Sequence, residues 1–250
     1  MDPINRESRT SVRFQIRYVL ALPWATDPAR AVRFQRALLD EGLEFSQVNT
    51  LDQRLTLTRS QPSHLQIRLD APGPQVVQVQ VLSANPGYDL EMFARDAEAA
   101  TRAYQAAWHL QQCQIIQSSA LIHHLYSVHD HAFKYLWEVR LGQSPEDFRA
   151  LGRRPVAGGG LRLLLPPHKQ ADDEEPRSIE IRAESFLAEP RKLLIETIFV
   201  WPKPRSVQAP EGFAPGPYLR QVEDFAADEV WSFFTSSRRD RDVPPEPPAP

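Results

Sequence analysis

Several segments of this sequence alternate between apolar and polar residues, and this alternation limits the possible folds more than any other feature. In the segment 75–81, Val77, Val79 and Val81 are separated by single glutamines. The segment 12–22 places an apolar residue at every even position. Because neighbouring side chains of a β-strand point to opposite faces, a period of two predicts strands with one buried face. Strands of this kind form antiparallel sheets with one face in water.

The first half of the chain is predicted to contain five strands and two helices. The strands are 12–22, 45–50, 54–60, 64–70 and 76–82, and the helices run from Pro28 to Gly42 and over 89–108. Asp27 before Pro28 is typical of a helix start, with an N-cap residue followed by proline at the first helical position. In the second helix, apolar residues recur every three or four positions from Phe93 to Trp108 and predict a buried stripe.

The second half is predicted to follow the same order of elements. Its strands are 115–125, 160–166, 177–187 and 192–201, and its helices are His131 to about Leu141, a short helix between Ser144 and Gly152, and 218–234. Asp130 is predicted to cap the first of these helices, and Ser144 the second. The proline-rich segment 202–217 is predicted to be an extended connection.

The two halves match in the order of their elements and at two places in the sequence. Asp27 matches Asp130, and the segment 93–96 matches 225–228. These matches predict an internal duplication, although antiparallel α+β proteins also look repetitive because hairpins and helices recur. The predicted fold class is α+β, with two tandem strand–helix–meander–helix halves, mainly antiparallel sheets, and long helices packed on one face. The predicted boundaries are a disordered N-terminus (1–10), a first half (11–110), a second half (111–235) and a disordered proline-rich tail (236–250).

Three segments carry a resemblance to a group of known proteins. They read VVQVQVLSANPGYDLEMFARDAEAATRAY at 76–104, CQIIQSSALIHHL at 113–125 and YLRQVEDFAADEVWSFF at 218–234. Their layout resembles a sporadically distributed, functionally uncharacterised bacterial family of duplicated α+β proteins. The resemblance covers most of the chain and implies a fold, and it brings no catalytic motif and no functional residue with it.

The composition limits the cellular compartment and the classes of binding partner expected for this chain. With 29 basic and 32 acidic residues the net charge is −3, so the chain lacks the overall positive charge typical of proteins that bind nucleic acid or anionic membranes. Cys113 is the single cysteine, which excludes an intrachain disulfide and cysteine-ligated zinc and favours a reducing compartment. Residues 1–11 lack an apolar run, and the longest apolar segments are too short to span a bilayer. These features predict a cytoplasmic protein.

Four of the seven histidines lie between 123 and 131. His129 and His131 flank Asp130, and these three side chains could form part of a site for zinc, iron or manganese. The alternative is structural, with Asp130 as a helix cap. His123 and His124 point to opposite faces of their strand, and together with Arg153 they are candidates for binding a small ligand.

The sequence contains no assembled catalytic motif. It has no nucleophile elbow, P-loop or dinucleotide fingerprint, and no cofactor is predicted. The first functional hypothesis is therefore a non-enzymatic interaction protein, a subunit or adaptor that binds another protein or a second copy of itself. The alternative hypothesis is a small-ligand-binding protein or a metal-dependent enzyme that uses a cavity near the histidines at 123–131.

Overall fold

A computed structural model describes residues 4–24, 27–152, 154, 156–167, 175–209 and 213–236. The strands are β1 (Ile4–Leu20), β2 (Gln47–Leu51), β3 (Arg54–Arg59), β4 (Leu65–Gly73), β5 (Val76–Ala84), β6 (Gln112–Val128), β7 (Gly160–Leu165), β8 (Ser178–Ser185), β9 (Lys192–Trp201) and β10 (Arg205–Gln208). The helices are α1 (Pro28–Asp40), α2 (Leu90–Trp108), α3 (Ala132–Lys134), α4 (Pro215–Phe225) and α5 (Trp231–Thr235). Two π-helical segments, Tyr135–Arg140 and Ala226–Val230, directly follow α3 and α4, and a 3₁₀-helix spans Pro145–Leu151.

The strands form one antiparallel sheet, so the predicted α+β class with antiparallel pairing is confirmed. Its order is β2-β3-β4-β5-β1-β6-β9-β8-β7, and β10 pairs with the first residues of β6. The two longest strands, β1 and β6, lie side by side at the centre. Ile16 of β1 stands opposite Val81 of β5 on one side and opposite Ala120 of β6 on the other. Ala120 in turn stands opposite Phe199 of β9.

Local sequence signals explain where the helices begin. The Asp27 carboxylate accepts a hydrogen bond from the backbone N–H of Arg30 at 2.7 Å, and that of Asp89 accepts one from Met92 at 2.8 Å. Ser144 and Asp147 form a reciprocal capping box at the start of the 3₁₀-helix. Each cap satisfies backbone N–H groups that have no partner inside the helix.

Two segments form strands where the sequence predicted none. Residues 4–10, predicted to be disordered, belong to β1: Ile4 is buried and stands opposite Val128. The polar stretch that follows contains register shifts between Asn5 and Thr10, which hide the alternation from the sequence. Within the predicted extended connection, β10 adds to the edge of β6 because its Val207 is buried in the core. Residues 237–250 of the predicted tail at 236–250 lie outside the described residues.

The core lies on one side of the sheet. A larger cluster joins the even-numbered residues of β1 from Phe14 to Leu20 to buried residues of α1, α2 and α4, among them Phe34, Phe93 and Leu219. A smaller cluster joins β6, β8 and β9 to the helical segments around Tyr135 and Phe234. Because Ile179 and Phe225 pack against both clusters, the two form a continuous core.

We call the opposite side of the sheet the open face. It carries Arg13, Gln15 and Arg17 of β1 and their cross-strand partners, such as Gln80 of β5 and His123 of β6. Its apolar side chains, including Leu121, Leu125, Leu194, Ile198 and Val200, are half-buried and belong to neither core cluster. Among the residues described, no helix combines the length and apolar composition needed to cross a bilayer.

Candidate functional site

The predicted site residues lie at three separate places in the structure. His123 is on the open face, and His124 is buried on the core side of the same strand. His129, Asp130 and His131 lie between the end of β6 and α3. Arg153 lies outside the described residues. The predicted ligand-binding histidines are therefore not neighbours within one cavity, as the opposite faces of a strand require.

His123 begins a row of charged side chains that crosses four strands of the open face. Its Nε2 donates a short hydrogen bond to the carboxylate of Glu196 on β9. The other oxygen of Glu196 lies 3.2 Å from the Arg182 guanidinium on β8. Glu180 then accepts hydrogen bonds from Arg182 and, at 2.6 Å, from Arg162 of β7. Acidic and basic groups alternate along the row, so their charges largely cancel.

The two glutamates in this row have lowered pKa values for different reasons. Burial raises the pKa of the Glu196 carboxyl, but His123 and Arg182 outweigh burial and bring it below its usual value. For Glu180, the hydrogen bond from Arg162 is the main cause of the lowered pKa. Both groups are therefore carboxylates at neutral pH. The cross-strand and same-face neighbours of His123 include Arg13, Leu121 and Leu125, none of which could act as a nucleophile.

His124 takes part in a buried contact between the sheet and α4. Its Nε2 lies 3.1 Å from the carboxylate of Glu223, whose other oxygen lies 2.8 Å from the Arg9 guanidinium. Burial raises the pKa of the Glu223 carboxyl, but His124 and Arg9 outweigh this effect and hold the pKa below its usual value. This contact joins β1, β6 and α4, and its charged groups pair with one another within the fold.

The predicted helix cap at Asp130 is wrong, because His131 occupies the N-cap position. The Nδ1 atom of His131 accepts a hydrogen bond from the backbone N–H of Phe133 at 3.2 Å. Asp130 is exposed and lies 3.5 Å from Lys134. The chain needs one more extended residue after β6 before it can turn into the helix, and this places the cap at 131. The predicted helix to Leu141 also changes from α-helix to π-helix at Tyr135.

The metal-site hypothesis gains no support from this geometry. Within the part of the chain that the structure describes, no three His, Cys, Asp or Glu side chains are grouped so that they could hold a metal ion. The Nδ1 lone pair of His131 is already used by the helix cap, and a metal ligand needs a free ring nitrogen. His129 and Asp130 are both exposed.

Two adjacent cavities lie around the helix that begins at Ala132. The larger, of about 730 Å³, lies between this helix and the 3₁₀-helix. The smaller, of about 510 Å³, also contains His129 and Asp130 in its lining. His131, Lys134 and Glu138 line both cavities. Phe133 and Phe148 line the larger one, and their rings lie 5.5 Å apart.

Apart from His131, sequence reasoning did not find the residues of the larger cavity. Phe148, Arg149 and Arg154 line it, and they come from the short helix and its C-terminal side. The capping signal at Ser144 predicts this helix correctly but contains no information on where the helix packs. Glu196, the partner of His123, is a charged residue inside the apolar segment 193–201. This position is a weak sequence signal for its role.

The open face of β1, β3, β4 and β5 carries an excess of positive charge. Its charged side chains in the regularly paired positions are Arg13, Arg17, Arg54, Arg68 and Asp70. Asp70 accepts hydrogen bonds from both Arg54, at 2.6 Å, and Arg68. Arg13 donates to the side-chain amide of Gln15 at 2.8 Å, and Arg17 donates to the Ser119 hydroxyl at 3.2 Å. These two arginines thus contact neutral acceptors.

Comparison with known proteins assigns no family. A scan against models of protein families finds no match to this chain, and a search of curated proteins finds none either. The functional argument therefore depends on the geometry and charge of the surfaces described above.

Proposed function

We propose that this protein is a non-enzymatic, cytoplasmic interaction protein that binds an acidic protein surface through the open face of β1, β3, β4 and β5. The observation that carries this proposal is the excess of arginine on that face. Four arginines accompany one aspartate there, in a chain whose total charge is −3. Such a local reversal of charge favours association with an oppositely charged surface.

The arrangement of the arginines supports binding over a purely structural role. Structural arginines pair with carboxylates inside the fold, as Arg9 does with Glu223. Arg13 and Arg17 instead contact neutral groups, so their positive charge is available to a partner. Gln80 lies between Arg17 and Arg68 in the cross-strand register and adds hydrogen-bonding capacity to the same area.

The composition of this face favours a protein partner over a nucleic acid. Proteins that bind single strands combine positive charge with aromatic side chains on which bases stack. The regularly paired open-face positions of β1, β3, β4 and β5 are filled by Arg, Gln, Thr, Asp and aliphatic residues. A second copy of the chain is a possible partner too, and light scattering after size-exclusion chromatography distinguishes it from a different protein.

We also propose that the two halves arose by duplication, with the longer helices packed on one face, as the resemblance to the duplicated bacterial family implies. In each half, the first strand pairs with the last strand of the meander: β1 with β5, and β6 with β9. The observed N-caps Asp27 and His131 are 104 residues apart. The same separation relates Ile16 to Ala120, which face each other at the centre of the sheet.

A small-ligand-binding function is the second candidate. The cavity of about 730 Å³ supports it, since pockets of this size accommodate small molecules. The predicted metal-dependent variant has weaker support, because His131 caps a helix. Metal analysis of the purified protein and of a protein carrying His129→Ala and His131→Ala tests the metal-dependent hypothesis directly.

The proposed interaction is testable with a defined acidic chain. Labelled poly-L-glutamate should bind the protein at low salt, and affinity should fall steeply as salt rises. Replacing Arg13 and Arg17 together by glutamine should reduce the affinity by about tenfold, since hydrogen bonds between charged groups are strong. Fluorescence anisotropy measures both effects.

A matched control shows whether the loss of affinity depends on the position of the arginines or only on the net charge of the protein. Arg33 and Arg36 are exposed on α1, and replacing both by glutamine makes the same change in charge away from the open face. This control should leave the affinity unchanged. Equal losses in the two double variants would show that poly-L-glutamate senses net charge alone, and the proposal would fail.

A further inference from the structure

We propose that the cavity between the helix at 132–140 and the 3₁₀-helix binds a small anionic molecule with a flat, apolar body, such as an aromatic carboxylate or phosphate. This inference rests on the second candidate function and names the ligand class for it. The cavity combines a cationic rim with an aromatic wall, and the two features select different parts of the same ligand.

The rim of the cavity is positively charged. Among the described residues that line it, Lys134, Arg149 and Arg154 accompany one acidic residue, Glu138. Lys134 lies 3.5 Å from Asp130, and both side chains are more than half exposed. Arg149 pairs with Glu146, again between exposed side chains. Exposed ion pairs of this kind are weak, so an incoming anion can compete for both cations.

His131 adds a directed hydrogen-bond donor. Because its Nδ1 accepts the hydrogen bond from the Phe133 N–H, the neutral imidazole must carry its proton on Nε2. His131 also lines the cavity. The helix cap thereby fixes the tautomer whose Nε2–H can donate a hydrogen bond to an anionic oxygen. This donation does not require a proton on Nδ1, the nitrogen that caps the helix.

The wall of the cavity suits a flat apolar group. Phe133 and Phe148 line it, and the Trp137 ring lies 5.7 Å from Phe148 and perpendicular to it. Pro145 and Val156 add to the apolar lining. Aromatic rings in such clusters favour edge-to-face or offset contacts with a further ring, and the cavity volume accommodates a two-ring ligand.

Three naphthalene compounds of similar size test the ligand class: 1-naphthoate, 1-naphthalenemethanol and 1-naphthylmethylammonium. We expect the anion to bind once per chain in isothermal titration calorimetry and to bind at least about tenfold more tightly than the cation. It should also shift the indole N–H resonance of Trp137, which a Trp137→Phe variant assigns. A Lys134→Gln/Arg154→Gln variant should lose this preference, whereas Arg33→Gln/Arg36→Gln should keep it.

The outcomes distinguish the ligand class from the site itself. If all three compounds shift the Trp137 resonance equally, or the Lys134/Arg154 variant binds the anion unchanged, the anionic class is wrong and the cavity remains a ligand site. If none of the compounds shifts this resonance, the cavity is not a ligand site, and the second candidate function fails with it.

Discussion

At the scale of single residues, Glu223 shows how the fold uses charge in its interior. Its carboxylate contacts His124 and Arg9, which belong to β6 and β1. Because these basic groups hold the folded-state pKa below its usual value, the carboxylate stabilises the folded chain at neutral pH. The contact joins the C-terminal helix to both central strands.

Replacing Glu223 by glutamine should lower the free energy of unfolding by about 1–3 kcal/mol at pH 7. The buried His124 and the more exposed Arg9 both lose their charged partner. The stabilisation is present above the unfolded-state pKa of about 4.3 and disappears as the pH falls through the lower, folded-state pKa. Urea unfolding at pH 7 and pH 3.5 should therefore show the variant and the natural chain converging in acid. The exposed Glu229→Gln change on the same helical segment serves as the control, and an equal effect of both changes would contradict this account.

His131 has a structural role that a second substitution series tests. His131→Ala should cost about 1 kcal/mol of unfolding free energy because the Phe133 N–H loses its acceptor. His131→Asp should restore the stability, since aspartate is a preferred N-cap residue. Asp130→Ala should change it by less than about 0.5 kcal/mol, as expected for an exposed position. If Asp130→Ala has a larger effect than His131→Ala in urea unfolding, Asp130 is the N-cap residue and this account is wrong.

At the scale of the elements, the edge strand β7 depends on glycine for close packing against β8. A Cβ atom added at Gly160 would lie 2.8 Å from the carbonyl oxygen of Ala183 and 2.5 Å from Cγ of Glu184. The backbone of β8 must move to accommodate it. By contrast, a Cβ atom at Gly73 would meet nothing within 4 Å.

We therefore expect Gly160→Ala to destabilise the protein by about 1–3 kcal/mol, the range for overpacked sites. Gly73→Ala should be neutral or stabilising by up to about 1 kcal/mol, because alanine restricts the unfolded chain. Thermal unfolding of the two variants provides the comparison. Equal melting temperatures would show that β7 can move away from β8 without a loss of stability, which would contradict this prediction.

The elements were largely predictable because their signals are local. Asp27, Asp89 and Ser144 mark helix starts, and the alternation at 75–81 marks β5 correctly. Pairing is not local: His123 and Glu196 are 73 positions apart, and the alternation that assigns each to a face does not say which strands are neighbours. The cap at His131 was missed for a similar reason, since Asp130 is the better cap by residue type and the length of β6 decides the position.

At the scale of the whole molecule, the β1–β6 ladder joins the two halves, and we expect them to unfold as one unit. Ile16 is fully buried at the centre of this ladder, opposite Ala120. Ile16→Ala should lower the free energy of unfolding by about 2–5 kcal/mol. The loss should appear equally in far-UV circular dichroism and in the fluorescence of two single-tryptophan variants, one that keeps Trp108 and one that keeps Trp231. Separate transitions for the two tryptophans would show that the halves unfold independently.

The open face is a surface that the core does not use, and its function as a docking site is the central claim. The direct measurement places a photo-reactive amino acid at Gln80, between Arg17 and Arg68, and another at Arg33 on α1, in cells of the native host. We predict a discrete protein adduct from position 80 that disappears in an Arg13→Glu/Arg17→Glu background, and none from position 33. An adduct from both positions, an adduct with nucleic acid, or none from position 80 would contradict the claim.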